Sequence, residues 1–307
     1  MSILEDTDAA AVAAAFVDAR RAAGSPAMDM VMTMVIVVPE DVAEDALHAA
    51  RDASKEHPSR RLGVILGSKR GPSRIDADIK AGSGTTGERA LMRLTGEVVE
   101  HPESVVLPLL LPDSPVVVWW PTAAPEDPAS DPLGRLGSRR ITDAAQAPRA
   151  RSKALLTQCH SYAPGNTDLA WTRITPWRAL LATAMDDVEE KVRAISVSAE
   201  HVSPSADLLG AWLTDRLKAP VTRKRSRGPG ITEVVLTTRS GDIRVSRKDG
   251  RLATLSVPGQ PDRPVALRRR GIVELLTEEL RRLDPDDVYA ATVRRLRRDA
   301  ARSQGAG

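Results

Sequence analysis

The sequence predicts two domains: an α/β amino-terminal domain with a mixed sheet, then an α+β carboxy-terminal domain built on an antiparallel meander. Three observations predict this. The chain has 307 residues, more than a single core usually serves. Its opening alternates helix, strand, helix, strand, the order that builds sheets with parallel crossovers. Late in the chain, residues 232–238, 242–247 and 252–257 alternate apolar and polar positions and are separated by turn residues, as in a meander.

Taken in order, residues 8–23 read as an Ala-rich helix that Gly24, Ser25 and Pro26 stop. Residues 28–38 (MDMVMTMVIVV) are β-branched and apolar, as in a strand buried on both faces, and Pro39 ends them. Residues 40–57 read as a helix, with Val42, Ala46, Ala49 and Ala53 at helical spacing, and residues 61–66 as a second buried strand. This order implies Rossmann-like layers, with helices against a sheet. Residues 74–80 (RIDADIK) alternate strictly and read as a half-exposed strand. Residues 88–99 suit helix or strand. Thr95 and Gly96 favour strand, because Gly inside a helix costs about 1 kcal/mol against Ala. The two strands are then expected to form a hairpin around residues 81–87. Residues 116–120 read as a buried strand closed by Pro121, residues 122–132 as a surface loop, and residues 139–142 as a last short strand. The boundary falls in residues 145–148, giving domains 1–147 and 148–307.

In the second domain, residues 150–160 and 171–185 read as helices and residues 195–199 as a strand. Residues 205–218 read as a helix that Ser203 or Ser205 caps. Residues 222–230 read as a basic loop. The meander follows, with turns at Ser240 and Gly241 and at Asp249 and Gly250, and residues 265–267 as an added strand. Residues 270–283 form a helix. Residues 286–298 form another, acidic at its start and Arg-rich at its end, as the helix dipole prefers.

Composition excludes several classes. The net charge of +3 is too small to argue for nucleic-acid binding. Cys159 is the single cysteine, so no disulfide framework and no Cys-based zinc site is expected. The histidines (His48, His57, His101, His160 and His201) lack metal-ligand spacing. Residues 1–7 are acidic, and the apolar run at 28–38 is too short to span a bilayer, so a cytoplasmic protein away from membranes is expected. Residues 82–87 (GSGTTG) match the dinucleotide fingerprint formally, but they sit between two predicted strands and read as a hairpin tip. The run at 223–227 (RKRSR) reads as a solvated charge run. Cys159 and His160 are sequence neighbours, which diverge by about 100° on a helix, so they do not read as a nucleophile and its base.

The scarce aromatics are informative. Trp119, Trp120, Trp171 and Trp177 lie in one central block with Tyr162, among Asp113, Arg139, Arg140, Asp143, Asp168, Arg173 and Arg178. Trp and Arg are enriched at binding hot spots. Asp113, Trp119, Trp120, Asp143, Asp168, Trp171, Arg173, Trp177 and Arg178 are therefore the expected partner-binding residues. Two alternatives stay open. The tryptophans can instead fill the seam between domains, and the same acids and arginines suit a sugar-phosphate or nucleotide pocket. Trp119 and Trp120, adjacent on a strand, must face opposite sides of the sheet.

These residues also carry a resemblance. Residues 109–121 (LLLPDSPVVVWWP), 139–144 (RRITDA) and 162–178 (YAPGNTDLAWTRITPWR), with ATLSVPGQPDR and EELRRLDPDDVY near the end, resemble the OpcA family of glucose-6-phosphate dehydrogenase assembly proteins in its actinobacterial form. The resemblance runs from about Leu4 to Arg295. It implies a non-catalytic partner that helps the dehydrogenase reach its active oligomer and raises its activity, supplying NADPH through the oxidative pentose phosphate pathway. It implies no catalytic, cofactor-binding or metal-binding residue. The thiol regulation associated with the cyanobacterial branch does not carry over as an intramolecular switch, because Cys159 stands alone.

Overall fold

The computed structural model describes residues 2–23, 30–81, 87–186, 188 and 190–305. The chain runs β1 (Ser2–Leu4), α1 (Ala9–Ala23), β2 (Met32–Val37), α2 (Ala43–Ala53), β3 (Ser59–Leu66), β4 (Arg74–Ala81), β5 (Glu88–Thr95), α3 (Pro102–Val106), β6 (Val116–Trp119), β7 (Arg139–Thr142), α4 (Arg151–His160), β8 (Asn166–Asp168), α5 (Leu169–Arg173), α6 (Thr175–Asp186), β9 (Ala194–Ala199), α7 (Pro204–Leu217), β10 (Val221–Arg225), β11 (Ile231–Thr237), β12 (Asp242–Ser246), β13 (Leu252–Ser256), β14 (Arg263–Ala266), α8 (Ile272–Leu280) and α9 (Asp287–Gly305). It forms two compact units. The first comprises residues 1–143, 165–167 and 272–285, and the second residues 144–164, 168–271 and 286–307. Neither unit is one stretch of chain, so a single cut at 147/148 separates them only in part.

The first unit is the expected α/β layer structure. Its sheet has the order β1-β4-β5-β3-β2-β6-β7-β8. The apolar runs form its middle: β2 pairs in parallel with both β3 and β6, β3 with β5, and β6 with β7. β4 and β5 form the expected antiparallel pair, from Arg74↔Thr95 to Ala81↔Glu88. The tip expected over 81–87 lies largely outside the described residues, as does the helix stop at Gly24, Ser25 and Pro26. On one face, Val12 and Phe16 of α1 join Val35, Leu62, Val64, Met92 and Trp120 in one core. α2 packs beside β3 and against α8. Gly63 lies close under α2: a Cβ there would stand 2.8 Å from Leu91 Cδ1 and 3.3 Å from Leu47 Cδ2, so those side-chain ends would have to shift.

Two expectations about element ends are corrected here. The strand expected over 88–99 stops at Thr95. Gly96 turns the chain with φ +73°, and a Cβ there would lie 2.5 Å from the Pro72 carbonyl. A 3₁₀ turn over Gly96–Glu100 follows. The helix expected over 270–283 is shorter, Ile272–Leu280, and belongs to the first unit. Arg139 of β7 fastens it. Its guanidinium donates to Glu279 Oε2 at 2.6 Å and to the Asp284 carbonyl at 3.1 Å.

The second unit holds the meander. Its sheet has the order β10-β9-β11-β12-β13-β14, antiparallel from β9 through β14. β10 adds a parallel edge strand beside β9, with α7 as the connection, where a basic loop was expected. Its side chains read Val-Thr-Arg-Lys-Arg and are exposed or nearly so. Exposed cations on an edge strand discourage pairing with other chains. The helix expected over 171–185 is two helices, α5 and α6. Pro176 lacks the amide that a continuous helix would need, so the chain breaks at Ile174. The core joins Trp171, Trp177, Ile195, Val197, Leu208, Leu209, Val234, Leu236, Ile243 and Tyr289.

Candidate functional site

The structure puts most of the sequence-predicted patch inside the two units. Trp119, Trp120, Trp171 and Trp177 are each at most 2% exposed. Trp120 belongs to the core on the α1 face, and Trp119 lies in register with Ile36 and Ile141 on the opposite face, as alternation requires. Asp143 and Asp168 are buried. Asp168 works locally. Its carboxylate accepts from Ala170 N at 2.8 Å, capping α5, and from Ala144 N at 2.9 Å. Trp171 donates its indole N–H to Asp286 Oδ2 at 2.8 Å, while Asp286 Oδ1 accepts the amides of Val288 and Tyr289 at the start of α9. The Trp171 and Tyr289 rings sit 5.5 Å apart, and Tyr162 meets Tyr289 edge-on at 5.9 Å. This group seats the terminal helix within its unit. Arg178 lies 3.6 Å over the Trp171 ring and is half-buried, as is Arg173. Asp113 is exposed, in a turn with φ +54°.

Cys159 is 1% exposed. Burial, reinforced by the nearby Asp168 carboxylate, pushes its thiol up to about 12. It stays protonated at neutral pH and does not supply a thiolate. The GSGTTG run joins antiparallel β4 and β5 and not a strand and a helix, and residues 82–86 lie outside the described residues. The dinucleotide arrangement needs a helix amino terminus immediately after that turn.

The concentrated charge lies elsewhere in the second unit. A hollow of about 210 Å³ opens at the carboxyl end of β9, where the chain turns into α7. Arg151, Arg173, Arg247, Arg268, Arg269 and Arg270 line it, with Glu200 as the one carboxylate among its described lining residues. Arg247 is buried, at 6% exposure. It donates to the Leu267 carbonyl at 2.8 Å and the Ile231 carbonyl at 2.9 Å, and its guanidinium stands 5.1 Å from the Trp177 ring centre. Burial first, and the neighbouring Arg269 next, lower its pKa. Ser203 and Ser205 line the mouth, and Ser203, the residue before α7, makes no side-chain cap. The first turn of a fourteen-residue helix thus faces the hollow without a side-chain acceptor.

Two domain models of one family, both under the name OpcA, match the chain in order. One describes the amino-terminal domain of a glucose-6-phosphate dehydrogenase subunit and matches residues 50–159. The other describes the carboxy-terminal domain of that same subunit and matches residues 164–293. The chain belongs to the OpcA family. No curated protein sequence matches it significantly. Among solved structures it is similar to an oxidoreductase from Sinorhizobium meliloti, at 11% identity and TM-score 0.45 over 90% of this chain and 89% of that one. It is also similar to an inositol dehydrogenase homolog from Azotobacter vinelandii, at 8% identity and TM-score 0.37 over 92% and 90%. Likenesses this distant carry no argument about chemistry.

In this OpcA-family chain Arg151 falls in the amino-terminal match, and the other lining arginines fall in the carboxy-terminal one. Of the predicted residues, only Arg173 and Trp177 line the hollow. Sequence reasoning missed Arg151, Arg247, Arg268, Arg269 and Arg270. The run Arg268–Arg269–Arg270 was a visible signal. Nothing in the sequence joined it to Arg247, which reads as the end of an ordinary strand.

Proposed function

We propose that this chain is a non-catalytic assembly factor and allosteric activator of glucose-6-phosphate dehydrogenase, acting in the cytoplasm to promote the active oligomer of that enzyme in the oxidative pentose phosphate pathway. The observation that carries the reading is the pair of family matches to the two domains of a dehydrogenase subunit, in order, across residues 50–293. The protonated, buried Cys159 is in keeping with it, because the one thiol of the chain is not poised as a nucleophile.

Such a partner acts by binding one conformation or oligomer of the enzyme better than another. A differential of about 1–3 kcal/mol changes that equilibrium about 5- to 150-fold. The contact would bury on the order of 1,200–2,000 Å². Of the residues expected to recognise the partner, Asp113, Arg173 and Arg178 have surface to offer, each on its own unit. Asp143, Asp168, Trp119, Trp120, Trp171 and Trp177 then serve as the framework that holds those surfaces in shape.

The test is size-exclusion chromatography and steady-state assay of the purified cognate dehydrogenase with and without the purified chain. Co-elution, a changed oligomeric state of the enzyme and a raised rate are expected. Independent elution with unchanged rate sinks the reading, as does turnover of glucose 6-phosphate by the chain alone.

A further inference from the structure

We propose that the arginine-lined hollow of the second unit is a binding site for a small phosphate-bearing metabolite. The proposal rests on the hollow itself and is independent of the reading of the chain as a dehydrogenase partner.

Among the described lining residues are six arginines and one carboxylate, Glu200, and Arg247, Arg151 and Arg269 carry the proposal. Arg247 is the decisive residue. It is buried, its Nε has no hydrogen-bond partner, and no carboxylate forms an ion pair with it among the described residues. A guanidinium carried into a core normally meets a carboxylate, because an uncompensated buried charge is costly. Here two backbone carbonyls hold its geometry and leave its charge in place. Arg151 and Arg269, exposed at the rim, likewise form no ion pair among the described residues.

The second feature is the βα turn. The amino terminus of α7 follows the carboxyl end of β9, and no side chain caps it. The positive end of a helix dipole favours an anion at such a place, and it is the dipole that counts here, because Pro204 has no amide proton and the Ala206 and Asp207 amides donate to the Ser203 carbonyl. Guanidinium groups add the paired, planar donors that suit phosphate oxygens. The size fits a small molecule better than a peptide: about 210 Å³, lined by the start of β11, the residue after β12 and the segment after β14. Sugar phosphates and nucleotides share the phosphate that this chemistry recognises.

The experiment is calorimetry on the full chain alone, at fixed ionic strength in chloride, with inorganic phosphate, pyrophosphate, a hexose monophosphate, ATP and citrate. Saturable binding at one site per chain is expected for at least one phosphate compound, at least tenfold tighter than citrate. Stronger binding of the hexose monophosphate than ATP assigns a sugar phosphate; the reverse assigns a nucleotide. Arg247→Gln should weaken binding at least tenfold. Because Arg247 is buried, the rim variant Arg151→Ala/Arg269→Ala provides a second arm. It should also weaken binding at least tenfold while its melting temperature without ligand stays at the wild-type value. Absence of saturable binding, citrate binding as tightly as every phosphate compound, or a rim variant that binds like the wild type would overturn the proposal. Loss of dehydrogenase co-elution in the rim variant, when the wild type binds no phosphate compound, would assign the hollow to an acidic segment of the partner instead.

Discussion

Arg139 and Arg247 are buried alike, at 4% and 6% exposure, in different units, and they are held in different ways. In the first unit Arg139 meets a carboxylate. It donates to Glu279 at 2.6 Å, and the two side chains are 5% and 7% exposed. The pair is neutral as a whole, and its effect is to tie α8 to the sheet. In the second unit the Arg247 guanidinium donates to the carbonyls of Leu267 and Ile231 and stands over Trp177, and among the described residues no carboxylate forms an ion pair with it. Two carbonyls hold its geometry, and its charge is not paired with a carboxylate among the described residues. The contrast separates two uses of one residue type. A paired buried arginine organises the fold, and a carbonyl-held one stores a positive charge at a chosen place.

The largest expected effect breaks the first arrangement. Arg139→Met removes the cation that meets the buried Glu279 at 2.6 Å, and removing one partner of a buried pair costs about 3–5 kcal/mol. Urea unfolding followed by circular dichroism should show that loss, and replacing Glu279 by Leu as well should restore much of it. If Arg139→Met costs no more than a surface substitution, the pair does not fasten α8. The next effect tests the second arrangement. Arg247→Met strips two carbonyls of a donor, a loss of about 1–3 kcal/mol, but it also removes a desolvated charge that repels Arg269. The same unfolding measurement should give a net cost below that of Arg139→Met. A larger cost for Arg247→Met would mean that Arg247 is mainly a structural clamp.

Much of the fold was legible. The apolar runs at β2, β3 and β6 and the alternating runs at β11 to β13 each mark their own burial, since side chains on a strand alternate faces. What failed to read depended on tertiary context. β10 looked like a loop because a basic edge strand has no apolar face to reveal it. α8 looked like part of the second domain because contacts distant in sequence, with Arg139 and α2, draw it into the first unit. The split of α5 from α6 was readable in Pro176, but the apolar pattern around it continues through the break. The site followed the same logic. Tryptophan scarcity drew attention to residues that turn out to be packed inside, whereas the arginines of the hollow come from four separate stretches of chain. No pattern in the sequence brings those stretches together; the sheet and α7 do.

The smallest effect returns to α8 and asks whether burial, rather than the Arg–Glu pairing itself, sets the strength of such contacts. Arg281, just beyond α8, meets Glu56 at 2.9 Å within the same unit, nearly the geometry of Arg139 and Glu279. Here the side chains are 63% and 54% exposed. Water already solvates both charges, so contact returns little Coulomb energy and must also immobilise two long side chains. Exposed pairs of this kind contribute about 0–1 kcal/mol. Glu56→Ala should therefore shift the urea midpoint only slightly. The shift should vanish in 1 M salt, where charges are screened within about 3 Å. Glu56→Ala approaching the cost of Arg139→Met would show that the exposed pair, not the buried one, holds this helix in place.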